Sequence, residues 1–113
     1  MESKKIMAVI LNYNTFEDSV KCAELLKKQT YNNLIIAIVD NLSPDGRQKE
    51  LSKYCEENDV TFIQSKENAG FSAGNNLGLK KAMEIGCEYA LIINPDVEIR
   101  DFTYVEECVN RLE

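Results

Sequence analysis

Two carboxylates in this chain follow long apolar runs, a placement that suits chemistry in α/β proteins. Asp40 comes directly after Leu34-Ile35-Ile36-Ala37-Ile38-Val39, and Asp96 follows Tyr89-Ala90-Leu91-Ile92-Ile93 across an Asn94-Pro95 corner. Runs without polar alternation are expected of strands covered on both faces in a parallel sheet. Pro95 fixes its own φ, removes a backbone donor and pushes Asn94 towards an extended conformation, so the second run is expected to stop there. Asp96 then projects from the carboxyl end of a strand, where the ligands of open α/β sheets bind. Its hard oxygens suit Mg²⁺ or Mn²⁺ held against a diphosphate, and such a cation neutralises the charge on a leaving nucleoside diphosphate. Asp40 could accept a hydrogen bond from the N–H of a pyrimidine base, and Tyr13 could stack on that base. Each residue taken singly also fits an ordinary loop, since Asn-Pro and Pro-Asp are common turn dipeptides. Their convergence is what gives them weight.

That convergence depends on the elements between them. Residues 6–11 form a further apolar run that ends in Asn12-Tyr13-Asn14. Thr15 is placed to cap a helix reaching about Lys28, with Asp18 resembling the far side of a capping box and Val20, Ala23 and Leu26 on one face. A second helix over residues 47–58 turns Leu51, Tyr54 and Cys55 inward, and a shorter, more polar strand over 60–64 suggests a place near the sheet edge. Gly70, Gly74 and Gly78 recur at intervals of four before a helix that ends at Gly86. Close packing of that helix on the sheet accounts for Gly74 and Gly78, whereas Gly70 lies before it, where backbone N–H groups can approach a phosphate or sugar. Phe102, Val105, Cys108 or Val109, and Leu112 recur at helical spacing. The order βαβαβαβα with right-handed crossovers gives one open, mainly parallel twisted sheet flanked by helices. A strand order of 3-2-1-4 sets the switch point between the first and fourth strands and brings Tyr13, Asp40 and Asp96 to one rim.

Composition narrows the chemistry. The 113 residues suffice for one modest core, and 13 basic against 19 acidic residues, net −6, argue against a nucleic-acid surface. There is no histidine, and Cys22, Cys55, Cys87 and Cys108 are spread singly. The usual zinc sites and any Cys-His or Ser-His mechanism are therefore excluded. No dinucleotide fingerprint follows the first strand, and no P-loop occurs. No apolar run reaches the length of a transmembrane helix and no secretory signal is evident, so the expected location is cytoplasmic, with the inner face of the membrane also open. A receiver-like signalling domain has a similar length, but it needs an acidic cluster at the first strand and an Asp after the third. Here those places hold Asn12-Tyr13-Asn14 and Gln64-Ser65-Lys66.

Over about residues 6–100 the chain resembles the N-terminal half of the inverting, GT-A-fold glycosyltransferases of family 2, especially their rhamnosyltransferase-like branch. Val9-Ile10-Leu11-Asn12-Tyr13-Asn14 is similar to the family's first strand and loop, and Leu25-Leu26-Lys27-Lys28-Gln29-Thr30-Tyr31 to the end of its first helix. Val39-Asp40-Asn41-Leu42-Ser43-Pro44-Asp45-Gly46 resembles Val-Asp-Asn-x-Ser-x-Asp-Gly. The segment from Asn68-Ala69-Gly70-Phe71 to Asn76, and Leu91-Ile92-Ile93-Asn94-Pro95-Asp96, resemble the remaining blocks. The resemblance implies a Rossmann-like, partial GT-A fold. It implies a nucleotide-sugar site built from Asn12, Tyr13, Asp40, Asn41, Asn68, Gly70, Asn76 and Asn94, with Asp96 as the surviving acid of an Asp-x-Asp motif that binds Mg²⁺ or Mn²⁺. The implied donor is UDP- or dTDP-linked, and the implied acceptor is a saccharide or a lipid-linked molecule in cell-wall or polysaccharide biosynthesis. Asn94 in place of the first acid, and the Gly74-Asn75-Asn76 ending in place of an Arg-bearing one, both favour a deoxyhexose donor such as dTDP-rhamnose.

An inverting transferase also needs a general base. The family supplies it beyond the metal motif, and Asp101, Glu106 and Glu107 are expected on a solvent face instead. The expectation is therefore a single, truncated nucleotide-sugar-binding domain over 1–113, whose fourth strand is an apolar edge open to self-association. A non-catalytic nucleotide- or partner-binding α/β module is the competing expectation.

Overall fold

The computed structural model describes residues 4–67, 70–96 and 100–112. Four strands and four helices alternate: β1 (Ile6–Asn12), α1 (Phe16–Leu26), β2 (Leu34–Asp40), α2 (Gln48–Glu57), β3 (Thr61–Gln64), α3 (Phe71–Glu84), β4 (Tyr89–Ile93) and α4 (Tyr104–Leu112). The strands form one parallel sheet in the order β3-β2-β1-β4, as the βα alternation predicts. Register is continuous along β1, with Asn12 opposite Asp40 on one side and Ile10 opposite Ile93 on the other.

Because strand side chains alternate in direction, β1 supplies both cores. Ile6, Ala8 and Ile10 face α1, α2 and α4, packing with Cys22, Leu26, Leu51, Val105 and Val109. Met7, Val9 and Leu11 face α3, packing with Ala82 and Leu77. All seven residues of β1 are buried. The glycines of α3 make its close approach possible. A Cβ on Gly74 would lie 2.5 Å from Leu11 Cδ1, and one on Gly78 would lie 2.5 Å from Val9 Cγ1. Both glycines are therefore packing residues, and the whole Gly-rich stretch from Phe71 onward is helical rather than loop.

One expectation is corrected. β4 is not covered on both faces: four of its five residues are partly or largely exposed and only Ile93 is buried. The reason is position, because β4 ends the sheet order and its outer edge has no neighbour among the described strands. Thr15 does stand at the N-cap of α1, but its hydroxyl makes no cap hydrogen bond and points instead to Asn12 and Ser19. Gln29 ties the end of α1 to α4, donating to the Asp101 carbonyl and accepting from the Val105 N–H. No helix among the described residues is long and apolar enough to cross a membrane.

Candidate functional site

The carboxyl ends of β1 and β2 are joined by a buried polar network centred on Asp40, which is fully buried. Oδ1 of Asp40 accepts from Asn12 Nδ2 at 2.9 Å and from the Ser43 hydroxyl at 2.6 Å. Oδ2 accepts from the Ser43 N–H at 3.2 Å and from Gln64 Nε2 at 2.9 Å. Burial pushes this carboxyl up, but the donors from Ser43, Gln64 and Asn12 outweigh it and hold the group below its ordinary value. An ionised carboxylate has about four lone-pair sites, and protein donors take all of them here. In the chain without ligand, both oxygens of Asp40 are thus engaged by protein donors.

What Asp40 does is fix the loops around it. Asn12 turns its own oxygen to the hydroxyls of Thr15 and Ser19, at 3.1 and 2.8 Å, so both ends of its amide are engaged. The Ser43 hydroxyl, donating to Asp40, also accepts from the Asn14 N–H at 3.0 Å. The N–H of Asn41 donates to the Asn12 carbonyl, and Asn41 Nδ2 donates to the Gly70 carbonyl at 3.3 Å. Three chain segments, 12–14, 40–43 and the entry to α3, are consequently locked to one another.

Above this network the rim is open. Tyr13 is 42% exposed, and Leu42 on the adjoining segment is 46% exposed. Three residues here have left-handed backbones: Asn14 at φ 55°, Leu42 at φ 56° and Gly70 at φ 95°. Glycine and asparagine take this conformation readily, whereas for leucine it costs about 1–2 kcal/mol. Gly70 is the N-cap of α3, and the first intrahelical bond runs from the Gly74 N–H to its carbonyl. The N–H groups of the first turn are thus left to a cap or a ligand.

Across the switch point, Asn94 and Asp96 are both exposed at the end of β4. Among the described residues no group of three or more His, Cys, Asp or Glu side chains gathers to hold a metal. One carboxylate and one amide oxygen form a hard-oxygen set, which suits Mg²⁺ or Mn²⁺ when substrate phosphates and waters complete the shell. Asn76 is exposed on α3, and Asn68 lies outside the described residues. The structure therefore brings Asn12, Asp40 and Asn41 together below the rim, with Tyr13 and Gly70 on it. Asn94 and Asp96 stand across from them. Asp101, Glu106 and Glu107 are exposed at or near α4, and Asp101 and Glu106 are hydrogen-bonded to Thr103 and Thr30 respectively.

Three residues in and around this site are not evident from the sequence. Ser43 and Gln64 complete the shell of Asp40; Gln64 is legible only from the register that sets it opposite Asp40. Asn75 is 8% exposed, and its buried Oδ1 has no hydrogen-bond partner among the described residues. The side of α3 carrying Ala73, Leu77 and Lys80 lines two cavities beside β3, of about 380 Å³ at Leu77 and Lys80 and about 490 Å³ at Ala73 and Leu77. Asn75 lies on the opposite flank by the 100° step of the helix, the side towards β1 and β4.

The profile of Glycosyl transferase family 2 matches residues 7–113. The chain is 33% identical over 96 residues to the low-salt glycan biosynthesis hexosyltransferase Agl10 of Haloferax volcanii, covering 80% of this chain and 27% of that protein. It is 29% identical over 100 residues to glycosyltransferase GlyG of Streptococcus pneumoniae, covering 88% and 32%. In structure it is similar to the mannosyltransferase PcManGT of Pyrobaculum calidifontis, in complex with GDP-Man and Mn²⁺, with a TM-score of 0.80 at 18% identity over 98% of this chain and 32% of that one. It is also similar to residues 1–349 of S. aureus TarS in complex with UDP, with a TM-score of 0.75 at 21% identity over 94% and 31%. The chain thus spans about a third or less of each of these proteins.

Proposed function

The chain belongs to glycosyl transferase family 2, and we propose that it is the donor-binding part of an inverting transferase that moves a sugar from a UDP- or dTDP-linked donor to an acceptor hydroxyl. The observation that carries this reading is the convergence on one rim of an exposed aromatic ring, the start of α3 at Gly70 without a side-chain cap, and an exposed Asn94-Pro95-Asp96 corner. Tyr13 stacks on the base. The start of α3, opened by Gly70, directs N–H groups at negatively charged oxygens, which its dipole favours. Asn94 and Asp96 would hold Mg²⁺ or Mn²⁺ against the diphosphate. That cation supplies Lewis-acid stabilisation of the departing nucleoside diphosphate. Asp40 acts as a positioning residue, since its oxygens are already engaged by Asn12, Ser43 and Gln64. The reading is supported by the family profile and by the nucleotide complexes of structural neighbours.

The acceptor, a saccharide or lipid-linked hydroxyl, needs a general base, and we assign that role to none of Asp101, Glu106 or Glu107. The expected behaviour of these 113 residues is binding without efficient turnover.

The test is thermal stability with UDP, dTDP, GDP and ADP, each with and without Mn²⁺, on wild type and Asp96→Ala. Ligand at about a hundredfold over its Kd adds about 2.7 kcal/mol. A Mn²⁺-dependent shift with UDP or dTDP that Asp96→Ala abolishes supports the reading. A folded chain that responds to no nucleotide overturns it.

A further inference from the structure

The two edges of the sheet are finished differently. β3 and β4 each lack a second neighbour among the described strands. Above β3, α3 presents Lys80, Lys81 and Glu84, which line a cavity there with Phe62 and Ile63. Charges beside an edge, and a strand of only four residues, are ordinary devices against pairing with another chain. On its other flank, towards β4, α3 carries Leu79 and Met83 by the 100° step of the helix, with Ser72 and Asn75 and no charge. Met83 is 79% exposed, and Leu79 is exposed as well. β4 itself reads Tyr-Ala-Leu-Ile-Ile, without a charge or a proline.

The opposite face of the sheet repeats the pattern. α4 turns Val105 and Val109 into the core beside Ile93. Glu106 accepts from Thr30 Oγ1 at 3.0 Å, so its flank of α4 lies towards the end of α1, which packs on β1 and β2. Tyr104, about 200° from Glu106 around the helix, is exposed on the flank away from α1, the side of β4 in the strand order. An uncharged strand edge is thus bordered by exposed apolar side chains from the helix layers on both faces. Apolar surface gathered in this way marks an interaction site.

The residues of β4 indicate what covers it. Ala90 and Ile92 face α3, as their partners Met7 and Val9 do, whereas Tyr89, Leu91 and Ile93 face α4. If a second β4 runs antiparallel along the edge, a dyad at Leu91 pairs all five residues of both strands. Ala90 then meets Ile92 of the other copy, small against large, and Tyr89 meets Ile93. A dyad at Ala90 or Ile92 leaves strand ends unpaired. The dyad at Leu91 is normal to the sheet, so it brings the Leu79–Met83 flanks of the two α3 helices to the same face, above Ala90 and Ile92. A stable dimer buries about 800 Å² on each partner. A five-residue edge spans only about 17 Å, so the helix flanks have to take part, and both are apolar.

We propose that two copies of this chain associate through β4, in antiparallel pairing centred on Leu91, joining two four-stranded sheets into one. None of Leu79, Met83, Tyr104 or the β4 residues belongs to the donor site proposed above, so this interface does not depend on that reading.

The test is sedimentation equilibrium over a concentration series on wild type, Met83→Lys and Glu84→Lys, with oxidative cross-linking of Leu91→Cys and Thr61→Cys. Residues 83 and 84 are both exposed, so either lysine leaves the fold intact, and the two variants differ in the flank of α3 that receives the change. The expected result is a wild-type dimer that Met83→Lys weakens about tenfold or more and Glu84→Lys leaves unchanged, because a charge beside the dyad is buried twice. A cysteine at 91 should cross-link to its own counterpart. Directly opposed residues of antiparallel strands stand about 4.5–5.5 Å apart between Cα atoms, within disulfide range. Peptide mapping separates this bridge from any formed by Cys87 or Cys108. Thr61→Cys, on the β3 edge, should give no such bridge. A wild type that stays monomeric at every concentration overturns the second copy and leaves the face to a different partner. Equal association in both lysine variants places the contact elsewhere and also overturns the proposal. Loss in Met83→Lys without a bridge at 91 overturns the strand pairing and its register.

Discussion

β2 and β4 flank the same central strand, both are apolar runs, and both lead into an acid, yet the two acids end in opposite environments. Asp40 is fully buried and receives four protein hydrogen bonds, whereas Asp96 is exposed. The difference is lateral. β2 lies between β1 and β3, so donors reach its end from both sides: Asn12 from one strand and Gln64 from the other. β4 has β1 on one side only, and Pro95 carries the chain away before a neighbouring strand end can supply donors. An acid enclosed in this way organises the rim, and an acid left at the edge remains available to a ligand.

The comparison is broken most severely at Asp40. Asp40→Ala strands the donors of Asn12, Ser43 and Gln64 in a buried site and should cost about 3 kcal/mol or more, since each orphaned buried group carries its desolvation penalty. In a chain of this size the melting temperature should fall by roughly 10–20 °C. The sign of the pH dependence follows from the lowered pKa of the folded state. Asp40 contributes its stability above the unfolded carboxylate value of about 3.9, and the contribution is lost as pH falls through the lower folded value. Urea denaturation of wild type should therefore weaken below about pH 4. Asp40→Asn should start less stable and show a flatter profile over that range.

A smaller effect is expected beneath the same rim. A Cβ at position 78 would meet both γ-methyl carbons of Val9, at 2.5 and 3.1 Å, and Val9 is fully buried in the central strand. Overpacking of this kind costs about 1–3 kcal/mol, from which about 1 kcal/mol of helix propensity is recovered. At position 74 the nearest atom is the Cδ1 end of Leu11, which can rotate away. Chemical denaturation should rank Gly78→Ala clearly below Gly74→Ala, and equal values would show that α3 can shift on the sheet.

How much of this was legible beforehand follows the same division. The strand order, the packing glycines and the edge position of β3 could be read because they depend on periodicity and on the right hand of βαβ crossovers. The environments of the two acids could not, although the order 3-2-1-4 already sets β4 at the edge, because strand order does not say which side-chain donors reach each strand end. Gln64 shows the same limit, since only register reveals that it reaches Asp40 across 24 residues of sequence. Leu42 stands at the unspecified position of the Val-Asp-Asn-x-Ser block, and only its left-handed backbone distinguishes it.

Asn75 offers a change of opposite sign. Its buried Oδ1 has no partner among the described residues, at a cost of about 1–3 kcal/mol. Asn75→Leu, similar in volume, should raise the melting temperature of the free chain by a few degrees. A fall would show that the amide carries structural hydrogen bonding.

The smallest effect on stability is expected at the exposed edge, and it sharpens the contrast most directly. Val9 of the central strand lies opposite Ala37 in β2 and Ile92 in β4, so those two residues share one face of the sheet at the same level. Ala37 is fully buried and Ile92 is 42% exposed. A lysine at position 37 would bury an unpaired charge and should prevent folding. At position 92 the ammonium can reach water along its own stem, and the change in stability should stay within about 1 kcal/mol. The effect of Ile92→Lys should appear in association instead, because a charged edge resists pairing with a second chain. We expect light scattering to show a mass that rises with concentration for wild type and stays monomeric for Ile92→Lys. A wild type that runs as a monomer at high concentration would remove self-association through β4. The unequal tolerance of positions 37 and 92 would still stand, because it depends only on which strand has a neighbour on both sides.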